Sequence, residues 1–194
     1  MEKIVIRFQE LLQLIPEFQV LAASAITDVA REIARAFKNG NKVLICGNGG
    51  SAADSQHFAA EFVNVFSREL NRKALSAIAL TTDTSILTSI ANDFEFENIF
   101  SRQIEAHGKS GDVLIVLTTS GSSKNCLSAV LMAKSLGITS ISFTKKGADI
   151  SLLTDISINV PSQNTQHIQE CHMLAYHVIT EIVEDELFRN GVRQ

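Results

Sequence analysis

The chain is sparing with cysteine and contains no basic run and no long apolar run. Its three cysteines, Cys46, Cys126 and Cys171, are scattered and form no CxxC pair. Cys46 and Cys126 sit among apolar or small residues, where a thiol acts as a small core hydrophobe in a reducing compartment. With a net charge of −4 and no Lys/Arg-rich stretch, nothing draws the chain toward nucleic acid or an anionic membrane. No segment reaches the length of a membrane span. Glu2, Lys3, Arg7 and Glu10 interrupt the apolar run that a signal peptide would need. A cytoplasmic protein without nucleic-acid or membrane partners is expected. No repeat, low-complexity segment or long linker divides the 194 residues, so one domain over 1–194 is expected.

Residues 4–14 and 18–38 carry apolar side chains at helical spacing, with Pro16 between them. Proline removes a helical hydrogen bond, so two N-terminal helices are expected within residues 1–40. Asn39-Gly40-Asn41 should end the second. Five apolar runs then alternate with helical patterns: VLIC (43–46), ALSAIAL (74–80), DVLIVLTT (112–119), ITSISFT (138–144) and DISINV (155–160). Helical patterns start at Ser51 and cover about 94–107, 123–136 and 164–188. Apolar strands separated by amphipathic helices predict an α/β fold: a five-stranded parallel sheet with helices on both faces. Such sheets bind ligands beyond the carboxyl ends of their strands.

Two of those ends are chemically unusual. After VLIC comes Gly47-Asn48-Gly49-Gly50-Ser51, opening a helix. Glycines let backbone approach a ligand, and a helix N-terminus presents free N–H groups to an anion. Ser51 also serves as an ordinary N-cap. The spacing fits neither G-x-G-x-x-G nor the Walker pattern. After DVLIVL comes Thr118-Thr119-Ser120-Gly121-Ser122-Ser123-Lys124-Asn125, whose hydroxyls could grip phosphate oxygens or simply form a capped turn. Two such loops together point to a phosphorylated small molecule.

Titratable groups gather in two segments. His57 and Glu61 lie four apart, on one helix face. They could form a metal pair, a base beside its partner, or a surface contact. The last helical segment supplies Gln166, His167, Gln169, Glu170, His172 and His177. Gln169 and His177 would stand about 12 Å apart along one helix. To share a site, either that helix begins irregularly or two subunits combine. Asn92-Asp93 could bind sugar hydroxyls or cap a helix.

CGNGGSAADSQHFAAEF, TTDTSILTSIANDFEFENIFSRQ, TTSGSSKN and HIQECH-x4-H, in this order over nearly the whole chain, resemble the phosphoheptose isomerases of the SIS (sugar isomerase) superfamily. The resemblance implies a single SIS domain and conversion of sedoheptulose 7-phosphate to D-glycero-D-manno-heptose 7-phosphate through an enediol. That product leads to nucleotide-activated heptose for lipopolysaccharide or capsule. It implies a homotetramer with sites between subunits, in which the N-terminal helices would serve packing and oligomerisation. It also implies one zinc per subunit on His57, Glu61, Gln169 and His177. Substrate contacts map to Asn48, Gly49, Gly50, Ser51, Glu61, Asn92, Asp93, Thr118, Thr119, Ser120, Ser123 and Gln169. Glu61 would carry the proton between carbons, and His177 would serve the oxygens.

The chain departs from the family pattern at several positions. Val65 stands where the family usually has an arginine, and Arg72-Lys73 where it often has Arg-Pro. His167 replaces a basic residue before Ile-Gln, and Thr118 replaces a serine. Arg68 or Arg72 could compensate for Val65. An isomerase of another ketose phosphate and a sugar-phosphate sensor are therefore rival readings. A third is a regulator that binds the replication initiator DnaA, but that branch lacks counterparts of Glu61 and His177.

Overall fold

A computed structural model describes residues 1–189; residues 190–194 of the expected domain lie outside it. Five strands form one parallel sheet: β1 (Val43–Gly47), β2 (Ala77–Ala79), β3 (Val113–Leu117), β4 (Thr139–Lys145) and β5 (Ile156–Val160), in the order β2-β1-β3-β4-β5. All pairings are parallel. Six α-helices accompany them: α1 (Glu2–Lys38), α2 (Gly50–Val63), α3 (Thr84–Asp93), α4 (Ser101–His107), α5 (Lys124–Ser135) and α6 (Thr165–Glu184). Side chains alternate across a strand, and the strands feed two cores accordingly. Val43, Ile45, Val113, Ile115 and Leu117 pack with α1, α2 and α6 on one face. Leu44, Cys46, Leu114 and Val116 pack with α4, α5 and Phe100 on the other. β1 and β3 are buried on both faces, which accounts for their unbroken apolar runs.

The α/β architecture and all five strands match the sequence reading, but the N-terminus does not. Residues 1–40 hold one helix rather than two, with Pro16 inside it. Proline in a helix interior forfeits one hydrogen bond and costs roughly 3 kcal/mol. The buried stripe Leu14, Phe18 and Ala22 runs at i+4 spacing straight past Pro16. Burying a side chain such as Phe18 is worth about 2–3 kcal/mol, so the packing of this face outweighs the break. The expected 94–107 helix is also divided: a 3-10 turn at Phe96–Asn98 precedes the shorter α4. A π-helical turn, Asp185–Arg189, follows α6.

The strand order reverses direction between β1 and β3. Crossovers leave these neighbours in opposite directions, which opens a crevice at their carboxyl ends. Both unusual loops lie at that crevice. No helix among the described residues is long and apolar enough to cross a membrane.

Candidate active site

The crevice is walled by backbone turns and hydroxyls. The β1–α2 and β3–α5 loops enclose a cavity of about 260 Å³, lined by Asn48, Gly50, Ser51, Thr118, Thr119, Ser120, Ser123, Thr165 and Gln169. Asn48 and Asn125 join the loops with reciprocal amide hydrogen bonds, each Nδ2 donating to the other's Oδ1 at 2.9 Å. Gly121 adopts φ +70°, and a Cβ there would sit 2.3 Å from the Ala148 Cβ, so the turn admits only glycine. Thr118 Oγ1 accepts from the Gly121 N–H and Ser120 Oγ from the Ser122 N–H. Ser123 lines the cavity at the N-cap of α5 without a side-chain cap bond, so its hydroxyl is free to meet an anion at a helix N-terminus. A Cβ on Gly50 would approach Gln169 Nε2 to 2.6 Å; the bare backbone there is what lets Gln169 lie across the glycine loop.

Further along α2 a second arrangement begins. His57 Nε2 and Glu61 Oε1 are 2.9 Å apart. His177, 120 positions from His57 in sequence, brings its ring centroid to 5.2 Å from that of His57. One ligand atom from each of His57, Glu61 and His177 can be chosen so that all lie within 4.8 Å of one another. Tyr176 shares a hydrogen bond of 2.9 Å with His57 Nδ1 and so fixes the ring. Burial pushes the His177 pKa below the usual imidazole range, the His57 charge adds to this, and Glu61 opposes it. Asp54, one turn before His57 and 8% exposed, has its carboxyl pushed upward by burial, with His57 pulling the other way.

Gln169 is not with this cluster. The α6 helix is unbroken from Thr165, capped by Asn164, whose side chain accepts from the Gln166 and His167 N–H groups. The irregular start allowed by sequence is therefore absent. Asn92 and Asp93 lie at the end of α3, where Asn92 Nδ2 donates to Asp93 Oδ1 at 2.7 Å. Asp93 lines a separate cleft against α4. Not one residue of α3 is buried in this chain. Nor does a nearby guanidinium replace the missing arginine at Val65. Arg68 is exposed, and Arg72 is wholly buried in an ion pair with Glu184. His167 turns back to α1, with its Nε2 2.7 Å from Arg7 Nη1.

Sequence reasoning missed Tyr176 and Asn125. The first is the chain's only tyrosine and directly precedes His177, which was a usable signal. Asn125 looked like one more polar loop residue, and its pairing with Asn48 depends on strand adjacency.

The SIS domain family model matches residues 8–145. Phosphoheptose isomerase of Clostridium acetobutylicum is 53% identical over 168 residues, 86% of this chain and 85% of that one. The enzyme of that name from Aquifex aeolicus is 50% identical over 95% of this chain and 96% of its own. The solved phosphoheptose isomerase of Francisella tularensis superposes with a TM-score of 0.91 at 38% identity, covering 95% of this chain and 97% of that one. The Neisseria gonorrhoeae structure gives 0.89 at 37%, covering 95% and 98%. With its loops, helices and sheet order all accounted for, the chain belongs to the SIS domain family and, within it, to the phosphoheptose isomerases.

Proposed function

We propose that this chain interconverts sedoheptulose 7-phosphate and D-glycero-D-manno-heptose 7-phosphate through an enediol. The observation that carries this reading is the meeting of Glu61 and His177, from distant helices, in a chain whose α2 and α5 open on a hydroxyl-lined anion cradle. The phosphate would rest against Ser51, Thr118, Thr119, Ser120 and Ser123 and the N–H groups opening α2 and α5. Asn48, Gly49, Gly50 and Gln169 would hold the chain of the sugar, and Asn92 and Asp93 its hydroxyls. Glu61 lies roughly 16 Å along α2 from Gly50, farther than a seven-carbon sugar phosphate extends, so the reading brings Glu61 to the reacting carbons across a subunit interface.

Glu61 removes a proton from C1 of the ketose and, after exchange of the carboxyl proton with solvent, delivers one to C2, while C1 becomes the aldehyde. In the same conversion the O1 hydroxyl proton must leave and O2 must gain one. His177 serves both oxygens. Held below its usual pKa, its imidazole is neutral near pH 7, and the ring nitrogen not used as a ligand would pass a proton between the oxygens. Positioned acid–base groups contribute about 10²–10⁴-fold each.

The donor set of His57, Glu61 and His177 suits zinc, which takes imidazole nitrogen and carboxylate oxygen and keeps an open position in catalytic sites. Gln169 would be the fourth ligand. Because α6 is regular, about 12 Å separates Gln169 from His177 along it, so their joint use requires residues from two subunits. When bound, zinc supplies a Lewis acid that polarises the carbonyl and stabilises negative charge on oxygen.

A homotetramer follows from that need. An apolar groove of about 450 Å³ between α1 and α6, lined by Ile15, Phe18, Ile26, Leu174, Val178 and Ile182, supports it. So do Ile4, Val5, Phe8 and Leu12, exposed along α1. The reading places the enzyme in the cytoplasm, making a precursor of nucleotide-activated heptose for lipopolysaccharide or capsule.

Incubation with sedoheptulose 7-phosphate in deuterated water, with and without chelator, tests this. Aldose carrying solvent deuterium at C2, and its loss on chelation, is the expected result. Absence of product overturns the substrate; indifference to chelator overturns the zinc. Val65 motivates one second reading, since Arg72 is consumed elsewhere: an isomerase of a different ketose phosphate, which a substrate panel in the same assay would reveal.

A further inference from the structure

Below the His57–Glu61–His177 cluster lies a buried ion pair that the proposed reaction does not use. The Arg72 side chain is 0% exposed and that of Glu184 is 1% exposed. Nε of Arg72 donates to Glu184 Oε1 at 2.7 Å. The rest of the guanidinium is spent on the end of α2: Nη2 donates to the carbonyl of Glu61 at 2.8 Å, and Nη1 to those of Phe62 at 2.9 Å and Lys73 at 3.1 Å. Carbonyls in the last turn of a helix have no helical partner, and here one cation takes two of them. Glu184 in turn accepts from the N–H groups of Phe66 at 3.0 Å and Ser67 at 3.1 Å. Phe66 lays its ring 5.7 Å from that of His177.

Each partner therefore holds one half of the cluster. Arg72 grips the backbone of Glu61 itself. Glu184 lies seven residues after His177, two turns along the same face of α6. A buried ion pair is often no more stabilising than two apolar residues of its size, so stability is a poor reason for this one. Its hydrogen bonds instead fix the distance between the α2 and α6 ends. We propose that Arg72 and Glu184 are positioning residues that set Glu61 against His177. This inference rests on the functional reading above and deepens it: the pair gives the catalytic carboxylate its register relative to the imidazole.

The double variant R72M/E184M removes both charges without stranding either. The backbone groups of Glu61, Lys73, Phe66 and Ser67 lose a partner, so this protein folds but melts below wild type. If the pair positions the cluster, kcat falls on the order of 100-fold, the effect of a misplacement of about 1 Å. KM stays within about threefold, because the phosphate cradle is untouched. Zinc affinity, measured by competition with a chromophoric chelator and without turnover, weakens roughly 10–100-fold, as for other residues that orient ligands. Wild-type kcat and zinc affinity in the folded double variant overturn the proposal.

Should the double variant not fold, R72K decides. Lysine keeps a cation opposite Glu184 but cannot supply the planar fork that reaches Glu61, Phe62 and Lys73 together. A folded R72K protein with the same kcat loss supports the clamp, and one with full kcat overturns it. A wild-type protein that neither isomerises the heptulose phosphate nor binds zinc overturns the functional reading, and the clamp's purpose with it. Wild-type activity alongside unaffected variants overturns the clamp alone.

Discussion

The hydroxyl cradle and the imidazole–carboxylate cluster are two halves of one candidate site, and they are built in opposite ways. The cradle consists of turns at the ends of adjacent strands. Its geometry comes from backbone, from a glycine that cannot carry a Cβ, and from a crevice that the strand order itself opens. The cluster consists of side chains from the second half of α2 and from beyond the middle of α6, so it exists only if two helices meet in the right register. The difference teaches that the proposed anion cradle is a property of the fold, whereas the proposed proton-transfer cluster is a property of helix packing. Damage to one half should leave the other measurable.

The largest effect should come from Glu61→Gln. Steady-state kinetics would show kcat down by about 10²–10⁴-fold, with KM for the sugar phosphate little changed and the oligomer intact. A large rise in KM instead would mean that the two halves are not separable.

Ser123→Ala attacks the cradle. A hydrogen bond to a charged group is worth about 1.5–3 kcal/mol, so KM should rise roughly 10–100-fold while kcat is retained. A fall in kcat alone would place Ser123 in the chemistry.

His172 is buried on α6, its ring edge-on to Phe143 at 5.7 Å. Neither of its nitrogens makes a well-formed hydrogen bond. Burial pushes its pKa from 6.5 down to about 3, against an opposing pull from the Thr144 backbone. Below pH 6.5 the unfolded chain takes up a proton on this imidazole and the folded chain does not. Stability is thus full above pH 6.5 and is lost as pH falls toward 3, by about 1.4 kcal/mol per pH unit. Denaturant titrations from pH 7 to 4 should show that slope in wild type, and His172→Phe should flatten it.

The smallest effect belongs to Lys124. It belongs to the hydroxyl-rich loop in sequence, but its ammonium is exposed and paired with Glu97 at 2.6 Å. Lys124→Met should change KM by less than about threefold, as for other exposed pairs. A tenfold rise would return Lys124 to the cradle.

The same division explains what could be read before the structure was known. Gly47 to Ser51 and Thr118 to Ser123 announce themselves because a turn's requirements are local. Strands β1 and β3 were equally plain, since burial on both faces demands an unbroken apolar run. Pro16 misled because helix breaking is a local rule, and the stripe through Leu14, Phe18 and Ala22 that overrides it is tertiary. Arg72 was legible only as a basic residue. Its disappearance into a pair with Glu184, 112 positions away, depends on how two helix ends dock. The same holds for Tyr176 and His57, whose hydrogen bond spans 119 positions.

The mutual amide grip of Asn48 and Asn125 has a kinetic meaning. Because each amide already satisfies the other, neither loop must wait for a ligand to find its shape, and little ordering entropy is left to be lost on arrival. Capture of the sugar phosphate should then be a one-step encounter, with stopped-flow traces that are single exponentials and an observed rate that climbs linearly with ligand concentration.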